Sequence, residues 1–270
     1  MICSRSASKK IDADLVATGE KPATYAYDPP AGVPQRSGVY RPQRVNIVNA
    51  RVSPPPGGLS LDRNGLELRQ HASVLSDFTD PAAIERIYYP ESEALLRGWT
   101  GAKRAVIFDH TIRDGHAARP GTVREPVKFI HNDQTFVSGP RRVRDHLPPH
   151  EAEKLLKGRV VNLWRPIGST VESSPLALCD ARSIAPTDLV PSDLIYQDKV
   201  GETYAFVFNP KHRWYYFPLM KAEEVLLLKI YDSAGDGVAR LTAHMAFDDP
   251  SSPPDARPRR SIELRTLLFF

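Results

Sequence analysis

Apolar positions along this chain come in short runs separated by proline and glycine, and their period changes with position. Residues 1–40 hold no sustained pattern: Pro29-Pro30 and Gly32-Val33-Pro34 interrupt it, which predicts a partly irregular N-terminal arm. A strand is expected from Arg44 to Ala50. Beyond the Pro54-to-Gly58 break, Leu59, Leu61, Leu66 and Leu68 flank Asn64-Gly65, a hairpin signal. Asp80-Pro81 reads as an N-cap followed by proline at the first helical position, opening a helix through Ile84, Ile87 and Tyr88. A second helix follows Pro90 with Leu95 and Leu96. The period then shifts to two, predicting a strand from Arg104 to Arg113 and a charged loop up to Pro126.

Downstream the pattern is mostly that of strands. Val127 to Thr135 reads as a strand with a polar end, Arg141 to Pro149 as a basic loop, and Pro149 to Lys157 as a short helix stopped by Gly158. Further strands are expected at 159–166, 176–179, 203–208, 213–217, 224–231, 243–247 and 261–269. Short strands at this spacing, with turn residues between them and no internal repeat, predict an antiparallel sandwich or barrel over a single domain at 41–270. The fold class is mainly β with peripheral helices.

Composition narrows the setting. The 25 prolines of the 270 residues suit irregular loops between strands better than long helices. No apolar run reaches the roughly 18 residues of a membrane span, and Met1 to Arg5 opens no secretory apolar region, so a cytoplasmic protein without a membrane partner is expected. Cys3 and Cys179 form neither a disulfide framework nor a zinc pair. The net charge of +4 is broken into short basic groups, at Arg141, Arg142 and Arg144 and at Arg257, Arg259 and Arg260, which argues against a nucleic-acid partner. A small molecule is the expected partner, and the reading leaves room for a homodimer.

The candidate chemistry lies at His131-Asn132-Asp133. Residues two apart on a strand share a face, so the imidazole of His131 and the carboxylate of Asp133 can converge. They are two members of a two-histidine, one-carboxylate set of the kind that holds iron(II) with open positions. His212 and His244 are the candidates for the third ligand. His212 lies in an aromatic run, Trp214-Tyr215-Tyr216-Phe217, and reads better as structural. His244 precedes a closing strand that opens Arg259-Arg260-Ser261, where alternation puts Arg259 and Ser261 on one face. A guanidinium fork and a hydroxyl can grip a carboxylate of a dicarboxylic cosubstrate. Asp109 to Arg113, polar at the end of an apolar strand, reads either as cavity-facing or as a structural network. Trp164, Trp214, Tyr215 and Tyr216 read as core, with one or two available to an apolar substrate.

The ordered set Tyr88-Tyr89-Pro90-Glu91, Val106 to Arg113, His131-Asn132-Asp133-Gln134-Thr135, Asn162-Leu163-Trp164-Arg165-Pro166, Pro175 to Asp180, His212 to Pro218 and His244-Met245-Ala246-Phe247 resembles the iron(II)- and 2-oxoglutarate-dependent oxygenases. It is most similar to a mainly fungal hydroxylase/desaturase branch related to the cephalosporin 7-alpha-methoxylase small subunit, gibberellin desaturases and endoperoxide-forming oxygenases of meroterpenoid pathways. The resemblance implies a double-stranded β-helix, or jelly roll. It also implies iron(II) held by His131, Asp133 and His244, 2-oxoglutarate on Arg259 and Ser261, and dioxygen as oxidant. Arg260 and Arg265 stand as alternatives to Arg259, because the loop from Asp248 to Pro254 is longer than a tight hairpin. The implied reaction is hydroxylation, desaturation or peroxide formation on an apolar secondary metabolite, terpenoid or polyketide in origin. The competing readings are a non-catalytic jelly-roll subunit beside an active partner and a metal enzyme that uses no 2-oxoglutarate.

Overall fold

A computed structural model describes residues 6–114, 126–153, 155–235 and 237–270, with side chains from Leu15 onward. The charged loop expected up to Pro126 and Cys3 lie largely outside these residues. The described strands, in chain order, are β1 (Ser6–Leu15), β2 (Ala23–Tyr25), β3 (Tyr40–Asn49), β4 (Leu66–Gln70), β5 (Arg104–Asp114), β6 (His131–Asn132) and β7 (Arg159–Pro166). They continue as β8 (Leu176–Cys179), β9 (Leu189–Ile195), β10 (Val200–Phe206), β11 (Trp214–Tyr216), β12 (Glu224–Asp232), β13 (His244–Ala246) and β14 (Arg260–Phe269).

They form two facing sheets, a jelly roll. The larger runs β1-β3-β11-β8-β13-β6-β10-β9-β2 and the smaller β4-β12-β7-β14-β5. The smaller sheet is covered on both sides. Leu226, Leu228 and Leu267 face the space between the sheets, while Val225, Leu227, Ile262 and Leu264 pack under a helical layer that includes Ile84, Tyr88 and Leu96. Burial on both faces explains why Val225-Leu226-Leu227-Leu228 does not alternate. Each fully buried leucine there contributes about 1.5–3 kcal/mol. A third cluster, with Ile47, Cys179, Trp214 and Tyr216, closes the far face of the larger sheet.

Several local expectations change. The arm is drawn into the larger sheet at two places: β1 pairs antiparallel with β3, and β2 pairs parallel with β9. Between these strands it follows the irregular path its prolines dictate. Asn64-Gly65 makes no hairpin: Leu61–Asn64 is one helical turn, and Gly65, at φ 79°, is its left-handed cap. Asp80 does cap as expected, its side chain accepting from Ala82 N at 2.9 Å. The two helices it was expected to precede are continuous, joined by a π-helical segment at Ile84–Tyr88. The basic loop is a helix at Ser138–His146. Pro140 falls in its first turn, where a missing N–H costs nothing, and Val143 is buried in the core. Gly139 is required there, since a Cβ would come within 2.5 Å of the Tyr231 ring. The expected strand from Val127 to Thr135 shrinks to β6, although the Val127 carbonyl still accepts from Ala246 N at 2.7 Å.

Candidate metal centre

β6 and β13 are neighbours in the larger sheet, and His131 and His244 stand directly opposite each other across that pair. Their ring centroids are 4.3 Å apart, at an interplanar angle of 52°. His244 also pairs with Leu178, a residue of the cluster between the sheets, so both rings face that interior. Asp133 follows directly after β6. One ligand atom from each of His131, Asp133 and His244 lies within 4.8 Å of the other two, the metal-type grouping found among the described residues.

The surroundings prepare each group to donate an electron pair. His131 Nδ1 donates to the Phe129 carbonyl at 2.8 Å. A carbonyl only accepts, so this contact fixes the tautomer and leaves the Nε2 lone pair toward Asp133. Burial, with the neighbouring His244, pushes the His131 pKa down to about 3 and keeps the ring neutral. Asp133 Oδ2 accepts from Arg265 Nε and Asn162 Nδ2, each at 2.9 Å. Its Oδ1 lies 3.7 Å from His131 Nε2, too far for a hydrogen bond. Burial opposes charge on Asp133, but Arg265 and the two histidines hold the carboxyl well below the usual carboxylate range. Nδ1 of His244 is buried with no hydrogen-bond partner. Two imidazoles, one of them with an orphaned buried nitrogen, and one anionic oxygen fit a divalent transition metal.

The smaller sheet supports this cluster from across the barrel. A register shift in the β5–β14 pairing, at Phe108, sets Asp109, Thr111 and Arg113 opposite Arg265, Glu263 and Ser261. Arg265 Nη1 donates to Asp109 Oδ2 at 2.9 Å and Thr111 Oγ1 at 2.8 Å. Asn162 also donates to Glu263 Oε1 at 2.5 Å. Asn132, fully buried, donates to the Ile230 carbonyl at 2.9 Å and ties β6 to the smaller sheet.

The three arginines weighed for a carboxylate ligand differ in their engagements. Arg260 Nε donates to Asp114 at 2.9 Å, and Arg265 is taken up by Asp133 and Asp109. Arg259 is 3 % exposed, sits 5.5 Å from the Trp164 ring centroid and donates once, from Nη1 to the Ser174 carbonyl at 2.6 Å. Its Nε and the Ser261 Oγ are both buried without partners. Burial, with the repulsion of Arg113 and against the opposing pull of Glu263, pushes the Arg259 pKa down to about 9.

His212 lies outside this grouping. Its Nε2 is 3.0 Å from Asp188 Oδ2, and its ring meets Trp214 edge-on. Cys179 is buried and its thiol is pushed up to about 12 by burial, so it is no nucleophile. Trp164 faces the interior between the sheets, while Trp214 and Tyr216 belong to the outer cluster. Sequence reasoning passed over Asn162 as a support for Asp133. The available signal was a polar residue inside the apolar run Val160-Val161-Asn162-Leu163-Trp164, where burial obliges it to find partners.

A family model described as an oxidoreductase/YMDC permease-like domain matches residues 12–269. The hydroxylase/desaturase efuI of Hormonema carpetanum is 33% identical over 86% of this chain and 85% of its own length. The Fe(II)/2-oxoglutarate-dependent dioxygenase nvfI of Aspergillus novofumigatus is 32% identical over 91% of this chain and 90% of its own. A solved structure of the iron and alpha-ketoglutarate-dependent endoperoxidase NvfI superposes with a TM-score of 0.82 at 27% identity, covering 98% of both chains. A variant of the same enzyme reaches 0.88 at 28% identity, covering 100% of this chain and 99% of that one.

Proposed function

Since the chain belongs to the fungal hydroxylase/desaturase branch of the iron(II)/2-oxoglutarate oxygenases, we propose that His131, Asp133 and His244 hold iron(II), and that Arg259 with Ser261 anchors the far carboxylate of 2-oxoglutarate. The observation that carries this reading is the placement of His131 opposite His244, with Asp133 held beside them by Arg265. When bound, the iron supplies the dioxygen chemistry, with 2-oxoglutarate as electron donor leaving as succinate and carbon dioxide.

The residues of the chain orient and insulate. The bond from His131 Nδ1 to the Phe129 carbonyl keeps Nε2 free as donor. Arg265 and Asn162 engage one oxygen of Asp133 and leave the other for the metal. The Trp164 face backs the Arg259 guanidinium and keeps water from its carboxylate contact. The substrate is a small apolar metabolite of terpenoid or polyketide type, a choice supported by the hydroxylase/desaturase and endoperoxidase names of the relatives and by the interior aromatic residues Trp164, Phe136 and Tyr231. Buried, unpaired Cys179 supports a reducing, cytosolic setting.

The test is iron-dependent turnover. Purified protein given iron(II), ascorbate, 2-oxoglutarate and air is expected to release succinate, and to do so faster with its substrate present. Tight Mn(II) binding without any succinate release would identify a non-catalytic subunit instead. Succinate-free oxidation of a substrate would identify a metal enzyme of another kind.

A further inference from the structure

The outer face of the smaller sheet carries an arginine where an apolar residue is due. Alternation along β7 turns Val161, Leu163 and Arg165 toward the helical layer, and Ile167 follows just past the strand; the other three belong to the cluster under the helices. Arg165 is 1 % exposed. A guanidinium brings five N–H donors, and the chain engages Arg165 sparingly. Nη2 donates to the His71 carbonyl, the group lies 5.5 Å from the Tyr88 ring centroid, and Nε is buried without a partner. Glu91, close enough to act on Tyr88 together with Arg165, is committed elsewhere. Its Oε2 accepts from Ser73 Oγ at 3.0 Å and from Val74 N at 3.3 Å, and its Oε1 stands 3.3 Å from His71 Nδ1. Glu91 thus tempers the charge of Arg165 from a distance and leaves its donors free.

Arg165 lines a cavity of about 280 Å³ between the loop that follows β4 and the end of β7. Leu75, Phe78 and Ile167 give this cavity an apolar wall, the exposed Ser76 stands at its mouth and the exposed Glu223 at its rim. Phe78 meets the Tyr88 ring edge-on at 5.0 Å, which fixes the wall against the ring that Arg165 covers. The cavity is separate from the metal centre, because Trp164, the residue before Arg165, faces the opposite side of the sheet and lies beside Arg259. Its volume falls just below the roughly 300–1,000 Å³ of pockets for drug-sized ligands, so it suits a body about the size of one ring. A planar guanidinium with free donors selects a carboxylate. Glu91 and Glu223 nearby would repel a second negative charge, which favours a monoanion over a dicarboxylate or a phosphate.

We propose that this cavity is a binding site for a small monocarboxylic acid with an apolar, ring-sized body, its carboxylate held by Arg165 and its body by Leu75, Phe78 and Ile167. The site stands whether or not the interior binds iron and 2-oxoglutarate. The test is a fluorine NMR titration of the full-length protein with 4-fluorobenzoate and with its neutral counterpart 4-fluorobenzamide. The acid is expected to bind saturably with a Kd at or below about 1 mM, and the amide about tenfold or more weaker. Ser76→Trp, which fills the mouth and leaves Arg165 in place, should weaken the acid by about tenfold or more while its melting temperature matches wild type. Arg165→Lys keeps the charge but loses the fork, so it should fall between wild type and Arg165→Met. Arg259→Met, across the sheet, should stay within about twofold of wild type.

Absence of saturable binding to wild type would overturn the proposal, and so would equal affinities for acid and amide, which would show an apolar crevice with no use for the cation. Loss of binding in Arg259→Met with full binding in Ser76→Trp would overturn it by placing the acid in the interior. Should Arg165→Met fail to fold, Ser76→Trp decides: undiminished affinity in that variant refutes the site, and a loss confined to the acid supports it.

Discussion

The larger sheet and its flanking turns carry two histidine–carboxylate pairs, one at Asp188–His212 and one, half-buried, at His131–Asp133, and they differ in what their atoms have left to give. His212 and Asp188 meet at 3.0 Å, and Asp188 also accepts from Ala185 N at 2.7 Å and from Asn209 Nδ2 at 3.1 Å on each oxygen. That carboxylate is saturated by the chain. His131 and Asp133 stand 3.7 Å apart, with a second histidine opposite. There one carboxylate oxygen is held by Arg265 and Asn162 while the other faces a lone pair. The same residue types thus make a structural clasp in one place and a donor set in the other. The distinction lies in the number of converging ligands and in whether the protein consumes the donor atoms itself.

The sharpest way to separate the two pairs is to remove ligands. His131→Ala, Asp133→Ala or His244→Ala is expected to lower Mn(II) affinity by roughly a hundredfold or more and to abolish succinate release, since each deletes one of three protein ligands. A variant lacking His244 that still binds Mn(II) as wild type does would show that the third ligand lies elsewhere.

Weaker effects are expected one layer out. Arg265→Met leaves the three ligands in place but frees Asp133 Oδ2, and partners of this kind are worth about 10- to 100-fold in metal affinity. The assay is a competitive Mn(II) titration. Loss of 2-oxoglutarate affinity with metal affinity preserved would instead return Arg265 to the role of carboxylate anchor. Arg260→Ala, whose partner is Asp114, should leave both affinities as they are.

Acid gives a third contrast. Burial and His244 push His131 down to about 3 from an ordinary 6.5. The unfolded chain therefore takes up a proton on this residue in a range where the native state does not, and stability falls with pH between those two values. Asp133 adds to the loss below about pH 4, because its folded carboxyl also binds a proton more weakly than the unfolded one. The melting temperature of metal-free protein should decline across this window, and His131→Gln should flatten the slope. Parallel slopes for wild type and variant would show that His131 is not shifted.

Much of this arrangement is legible in the chain, for identifiable reasons. His131 and Asp133 announce themselves because a strand period would bring residues two apart together, although Asp133 falls just beyond β6, and the same spacing singles out Ser261 on β14 and Arg259 just ahead of it. The helix at Ser138–His146 is hidden, because its stability comes from Val143 entering the core and from Gly139 meeting Tyr231, contacts a local reading does not contain. Asn64-Gly65 carries a signal shared by hairpins and helix ends, since both need a left-handed residue; Leu61 burying into the helical cluster selects the helix end. The Arg265–Asp133 contact joins residues 132 positions apart. The shift at Phe108 that aligns β5 with β14 is a property of pairing, which the sequence of either strand alone does not contain.

The smallest expected effect falls on the other pair and tests the comparison from its structural side. His212→Ala removes the contact that Asp188 Oδ2 makes at 3.0 Å but leaves Asn209 and Ala185 on the carboxylate, so the charge is not stranded. A buried hydrogen bond to a charged group is worth about 1.5–3 kcal/mol, and the two remaining partners place the cost at the lower end, visible as a modest drop in melting temperature. His212→Gln, which can still donate to Asp188, should recover part of it. Mn(II) affinity and succinate release should be unchanged in both, because no atom of His212 takes part in the grouping of His131, Asp133 and His244. Loss of metal binding on a folded His212→Gln protein would dissolve the distinction, since a histidine whose Nε2 already meets Asp188 would then be serving as a ligand.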